Sequence, residues 1–151
     1  MELEFVCDVH LGKLARALRM LGFNTAYQNT FTNEDLERMA VEQRRILLSR
    51  NPAFSKNALL QSFVITDEES SVQLKKVIEH FDLKEKIHPF TLCLVCNGPL
   101  QRVSKASVIN KISPGTANYF NEFWQCGDCK RIYWKGSHYG RMLEEINSFS
   151  G

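Results

Sequence analysis

Residues 5–22 read Phe5-Val-Cys-Asp8-Val-His-Leu11-Gly-Lys-Leu14-Ala-Arg16-Ala-Leu18-Arg19-Met-Leu21-Gly22, and the period of their apolar residues changes inside the run. Leu3 to Cys7 is a continuous apolar-rich stretch of strand length, whereas Leu11, Leu14, Ala15, Leu18 and Leu21 recur at helical spacing. Lys13, Arg16 and Arg19 fall off that stripe, and Gly22 stands where a helix-ending glycine belongs. A strand, one aspartate and an amphipathic helix form the opening of a βαβ unit.

The same alternation continues outward. Thr25 to Tyr27 suits a short strand. Thr32 and Asp35 have capping-box spacing for a helix to about Gln43. Ile46 to Ser49 is the next strand, and Pro52 after Asn51 suits the first position of a short helix through Leu60. A strand around Phe63 to Ile65 and a helix from Ser70 to Phe81 complete the series. Strands separated by helices imply a parallel sheet, so residues 1–85 are expected to be an α/β domain.

From Lys84 to Pro89 the composition shifts, and glycines, cysteines and aromatics replace the helix formers. Residues 1–90 carry 12 basic and 13 acidic side chains, and residues 91–151 carry 7 and 4, so the overall +2 conceals a −1 part and a +3 part. Residues 90–151 are expected to be a second, basic domain closed by a helix over His138 to Asn147. The whole chain has 151 residues, 44% hydrophobic and 24% charged, which suffices for a core without disulfides. Its beginning, Met-Glu-Leu-Glu-Phe-Val, lacks a basic n-region and a long apolar run. No stretch approaches the roughly 20 apolar residues of a membrane span. A cytoplasmic location follows as the expectation, with thiols kept reduced.

In that setting Cys93-Leu-Val-Cys96 and Cys126-Gly-Asp-Cys129, 29 residues apart, read as two knuckles of one four-thiolate Zn²⁺ site. A closed four-cysteine site leaves no open coordination position, so this zinc is assigned to folding. The intervening length requires a hairpin plus extra loop. Cys7, within the first strand, reads as an inert core thiol.

In an open parallel sheet, ligands bind beyond the carboxyl ends of the strands. Asp8, then Ser49, Arg50 and Asn51, then Thr66 and Asp67 fall there, and Glu34 and Asp35 open a helix facing the same edge. Such oxygen donors suit Mg²⁺ or Mn²⁺ and phosphodiester hydrolysis. Each also has a plainer role: Asp8, Asn51 and Asp35 as helix caps, Asp67 as first-turn charge. Lys13, Arg16 and Arg19 would suit a phosphate backbone or simply a solvated helix face. The later run Lys130, Arg131, Tyr133, Trp134, Lys135, His138, Tyr139 and Arg141 interleaves charge and aromatics, as single-stranded RNA binding or ribbon packing would require.

The run from Phe5 to Asn24 closely resembles the opening motif of the Mut-seven C-terminal (Mut7-C) family, PIN-like ribonuclease domains with an appended zinc ribbon. The resemblance continues through Leu36 to Ala40, Arg45-Ile-Leu-Leu-Ser49-Arg50, Gln73-Leu74, Cys93-x-x-Cys96-Asn97-Gly98-x-Leu100 and Cys126-x-x-Cys129-x-x-x-Tyr133-Trp134-x-Gly136-Ser137-His138. It implies a PIN-like parallel sheet with flanking helices, a small C-terminal zinc ribbon, RNA as partner and acidic residues that hold a divalent metal. Asp8 matches the family's first aspartate and Asp67 falls near a later acidic position, but Asn24, Asn33 and Asn51 stand where the family usually carries aspartates. Two functions follow. One is a metal-dependent ribonuclease using Asp8, Asp67 and Glu34 or Asp35, with Asn51 in a depleted position; Arg50, Lys13, Arg16, Arg19, Lys135, His138 and Arg141 would contact RNA. The other is an RNA-binding or adaptor module that keeps the fold without the activity. A protein-interaction role for the ribbon is a third possibility.

Overall fold

The computed structural model describes residues 2–148. Residues 1 and 149–151, the outer ends of the two expected domains, lie outside the described residues. The first part is a four-stranded parallel sheet of β1 (Phe5–Cys7), β2 (Thr25–Ala26), β3 (Ile46–Ser49) and β4 (Ser62–Val64), in the order β2-β1-β3-β4. Three helices flank it: α1 (Gly12–Met20), α2 (Asn33–Glu42) and α3 (Ser70–His80).

Strand alternation sends Phe5, Cys7, Ile46 and Leu48 to one face, where they bury against Leu14 and Leu18 of α1 and Leu74, Val77 and Ile78 of α3. Val6 and Leu47 face the other way, onto Leu36 and Ala40 of α2 and onto Phe54. The result is a three-layer α/β sandwich whose central strands are buried on both faces. Helix α1 ends as its sequence requires. The N–H of Phe23 reaches the Leu18 carbonyl at 2.9 Å and that of Gly22 the Arg19 carbonyl at 3.0 Å, with Gly22 at φ 93°. An added Cβ at Gly22 would also collide with the His88 carbonyl, so this position admits glycine on two grounds.

Two element boundaries differ from the sequence reading. The helix expected through Leu60 is a 3₁₀ segment, Pro52–Lys56, that ends at Asn57, where the backbone turns extended. The next strand is Ser62–Val64, one residue earlier than its apolar centre suggests.

In the second part β5 (Leu100–Val103), β6 (Phe123–Cys126) and β7 (Ile132–Tyr133) form an antiparallel sheet in that order. The extra length between the knuckles is an elaborated hairpin connection holding α4 (Lys105–Val108) and α5 (Pro114–Tyr119). Helix α6 (Ser137–Asn147) closes the chain and crosses back: Ile146 is buried in the core of the α1/α3 face, with Met142 and Leu143 packed against it. A smaller cluster of Met20, Leu94 and Tyr139 also joins the two parts. None of the described helices is long and apolar enough to cross a membrane.

Candidate functional site

Asp8 follows β1 directly and is buried. Its Oδ1 accepts the His10 N–H at 2.8 Å, capping a 3₁₀ turn. Its Oδ2 accepts the Ser49 hydroxyl at 2.6 Å and the Arg50 N–H at 2.8 Å, both from the end of β3. Ser49 Oγ in turn accepts the Asn51 N–H at 3.0 Å. Asp8 is therefore both the cap the spacing suggests and a tie between the two central strand ends. A carboxylate has about four lone-pair sites, and three are engaged, so one remains on Oδ1. Ser49, which the strand-end pattern places here, is the residue that holds Asp8 from β3.

The other acidic candidates are committed locally. Asp35 completes the capping box with Thr32 and pairs with Arg38 at 2.9 Å; the Thr32 backbone N–H holds its carboxyl below the usual range. Asp67 lies 2.5 Å from the Lys76 ammonium, which lowers its pKa, and its backbone carbonyl accepts from Gln73. Asn51 caps the following 3₁₀ segment through the Ala53 N–H at 3.0 Å. Glu34 is exposed in the first turn of α2. Among the described residues, the four cysteines are the one set of three or more His, Cys, Asp or Glu whose ligand atoms lie within 4.8 Å of one another. The carboxylates thus do not fit a two-metal centre. Asp8 keeps one lone pair at the strand edge and Glu34 is exposed; Mg²⁺ is commonly held by one or two carboxylates together with water and substrate phosphate.

The basic candidates divide. Lys13, Arg16 and His138 are exposed and line one groove of about 380 Å³ between α1, the start of α3 and the start of α6. The two parts of the chain thus contribute to one cationic surface. Arg50 donates to the Thr66 carbonyl at 3.2 Å, bridging the ends of β3 and β4. Lys135 and Arg141 are exposed and do not line the groove.

Arg19 requires correction. It is not on a solvated face with Lys13 and Arg16 but buried, its guanidinium donating to the carbonyls of Thr25 at 2.9 Å, Leu94 at 3.0 Å and Val95 at 3.1 Å. The first cysteine knuckle covers that side of α1, which no local periodicity reveals. Burial lowers its pKa, yet an arginine stays charged. The aromatic interleaving is likewise spent on packing. Tyr139 is buried and stacks on Phe90 at 4.2 Å, which stacks on Trp124 at 4.0 Å.

The four cysteines converge. Cys93 and Cys129 Sγ atoms are 3.6 Å apart, Cys96 and Cys126 3.5 Å. Tetrahedral Zn–S bonds of about 2.3 Å place sulfurs about 3.8 Å apart, so the set can bind a metal such as zinc. Both knuckles turn alike: the residue after each, Asn97 and Lys130, has φ near +67° (66° and 68°). N–H groups of Asp128 and Cys129 point at Cys126 Sγ, each 3.4 Å away. A Cβ at Gly98 would lie 2.6 Å from Asp128 Oδ2 and 3.0 Å from Cys126 Sγ, so a larger residue there would press on the second knuckle. Tyr133, one of the aromatics of the interleaved run, sets its hydroxyl 3.0 Å from Cys93 Sγ while accepting the Leu94 N–H. Cys7 is fully buried and its thiol pKa is raised by burial, as an inert core residue requires.

The model of the Mut7-C RNAse domain family matches residues 3–146. No curated protein and no solved structure matches the chain.

Proposed function

The chain belongs to the Mut7-C RNAse domain family, and on that premise we propose that it acts on RNA as a ribonuclease. The family match over nearly the whole chain carries this reading. Cleavage is assigned to the carboxyl edge of the sheet, at Asp8, and RNA contact to Lys13, Arg16, His138 and Arg50. Lys135 and Arg141 extend the cationic surface outward. Asp8 is the one buried carboxylate among the described residues, and it keeps a lone pair for a divalent ion. Bound there with water and substrate, Mg²⁺ or Mn²⁺ would polarise the phosphate and an attacking water. Ser49 and the Arg50 N–H hold the Asp8 carboxylate in place, and the Arg50 guanidinium offsets phosphate charge. The four cysteines are proposed to hold one structural Zn²⁺.

A second reading, RNA binding without cleavage, is favoured by one observation: Asp35, Asp67 and Asn51 are all engaged in caps or an ion pair. Purified chain incubated with Mn²⁺ and labelled single-stranded and structured RNA separates the two. Cleavage that Asp8→Asn abolishes supports the ribonuclease. Salt-sensitive binding with intact RNA supports the second reading, and neither binding nor cleavage sinks both.

A further inference from the structure

Four thiolates outweigh the charge of one Zn²⁺, and Cys93 carries its share of the excess at a fully buried position. A buried anion is tolerated where hydrogen-bond donors face it. The sulfurs draw theirs from different sources. Backbone N–H groups of Asp128 and Cys129 serve Cys126 within the second knuckle, whereas Cys93 Sγ is faced by a side chain, the Tyr133 hydroxyl at 3.0 Å.

The direction of that bond follows from its surroundings. Tyr133 Oη accepts the Leu94 N–H at 3.2 Å, which leaves its own proton to point at the sulfur. A metal-bound thiolate has no proton to give, so Cys93 Sγ accepts. The hydroxyl thus holds the first knuckle twice, at the sulfur of one residue and at the amide of the next. Strand register brings it there, because Tyr133 pairs with Trp124 on β6, the strand that ends in Cys126. The ring is seated by apolar contacts of its own, against the cluster of Met20, Leu94 and Tyr139.

The contacts continue beyond the knuckle. The Leu94 carbonyl accepts from Arg19 at 3.0 Å, so Cys93, Tyr133, Leu94 and Arg19 link the cysteine cluster to α1 through successive hydrogen bonds. Tyr139 supplies the contrast. It belongs to the same apolar cluster, yet its buried hydroxyl has no hydrogen-bond partner. Two tyrosines share one packing environment, and one of them serves a sulfur.

Resting on the reading that the four cysteines hold one structural Zn²⁺, we propose that Tyr133 is a positioning residue for that metal. Its hydroxyl offsets thiolate charge at Cys93 and fixes this sulfur on the side of the site tied to α1.

The test uses the full chain loaded with Co²⁺ or with Zn²⁺ and compares the parent with Tyr133→Phe and Tyr139→Phe. Each substitution removes one hydroxyl and keeps the ring, and circular dichroism verifies the fold. A hydrogen bond lowers the energy of the sulfur lone pairs. In Tyr133→Phe the thiolate-to-cobalt charge-transfer band should therefore move to longer wavelength, and competition with a chelator should show Zn²⁺ bound at least about tenfold more weakly. Tyr139→Phe should match the parent in both measurements. The band separates positioning from packing, because loosened packing weakens binding without changing what donates to the sulfur. An unmoved band or an unchanged affinity in Tyr133→Phe, or equal changes in the two variants, overturns the role of Tyr133 and leaves the zinc site standing. A parent chain that takes up neither Co²⁺ nor Zn²⁺ removes the four-cysteine reading and the proposal with it.

Discussion

Arg19 and Leu94 are joined by a hydrogen bond of 3.0 Å across 75 residues of chain, from the first helix to the first cysteine knuckle. The same guanidinium serves Val95 and Thr25, and Asn97 at the end of that knuckle donates to Asn24 at 2.9 Å while accepting the Thr25 N–H. Asn24 takes part in a seam between the two sheets. Arg19→Met keeps the aliphatic stem but leaves three carbonyls without their donor. Urea unfolding should show a loss of about 2–4 kcal/mol, whereas Arg16→Met, at an exposed position, should stay within about 0.5 kcal/mol. Equal effects at the two positions would place Arg19 outside the core.

That seam changes what loss of metal does. Metal analysis should find about one Zn per chain, and Cys126→Ser should release it. Because Arg19 binds the knuckle and Ile146 of α6 sits among Leu14, Leu18 and Leu74, the damage should reach α1. Hydrogen exchange is the direct measurement: amides of α1 should lose protection along with those of β5 and β6. Unchanged protection in α1 would mean that the two parts are energetically independent.

The contrast between Arg16 and Arg19 also explains where sequence reading stops. The strand and helix of residues 3–22, the capping box at Thr32 and the glycine end of α1 are set by near neighbours, and their residue types announce them. The four-cysteine cluster is equally legible, because few other arrangements use two such spacings. Arg19 was placed with its neighbours because it shares their helical spacing, but what buries it is a loop more than 70 residues away. Tyr139 reads as a stacking surface for the same reason; its ring partner, Phe90, lies in the connection between the two parts. At the strand edge the pattern placed Asp8 and Asn51 correctly after β1 and β3, yet could not choose between cap and ligand. A carboxylate oxygen does both jobs with the same lone pairs.

The capping box gives a pH signature. Asp35 has its pKa lowered, first by the Thr32 backbone N–H, then by the Thr32 hydroxyl and Arg38. A carboxyl that is more acidic in the folded state stabilises the fold above its unfolded pKa, and that contribution fades as pH falls through the lower folded value. The stability of the chain should therefore decline below about pH 4, and Asp35→Asn should show a shallower decline over that interval than the parent. A parallel pair of curves would mean that the box frays in solution. The side chain is exposed, so the effect is a change of slope and not a collapse of the fold.

The most direct challenge to the strand edge is Asn51→Asp. Asn51 accepts the Ala53 N–H at 3.0 Å, and its own N–H reaches Ser49, which holds Asp8. Aspartate and asparagine cap helices about equally well, so the substitution should preserve the 3₁₀ segment and shift the unfolding midpoint little. It adds a carboxylate two residues beyond Ser49, at the end of the strand beside Asp8. A divalent cation held by one carboxylate gains a second source of charge, and affinity for it should rise. Mn²⁺ titration followed by calorimetry should show tighter binding in Asn51→Asp, and Mn²⁺-dependent RNA cleavage should rise by about tenfold or more. Asp8→Asn in the same background should remove the gain. If Asn51→Asp binds Mn²⁺ no better than the parent, missing charge at this edge is not what limits the site.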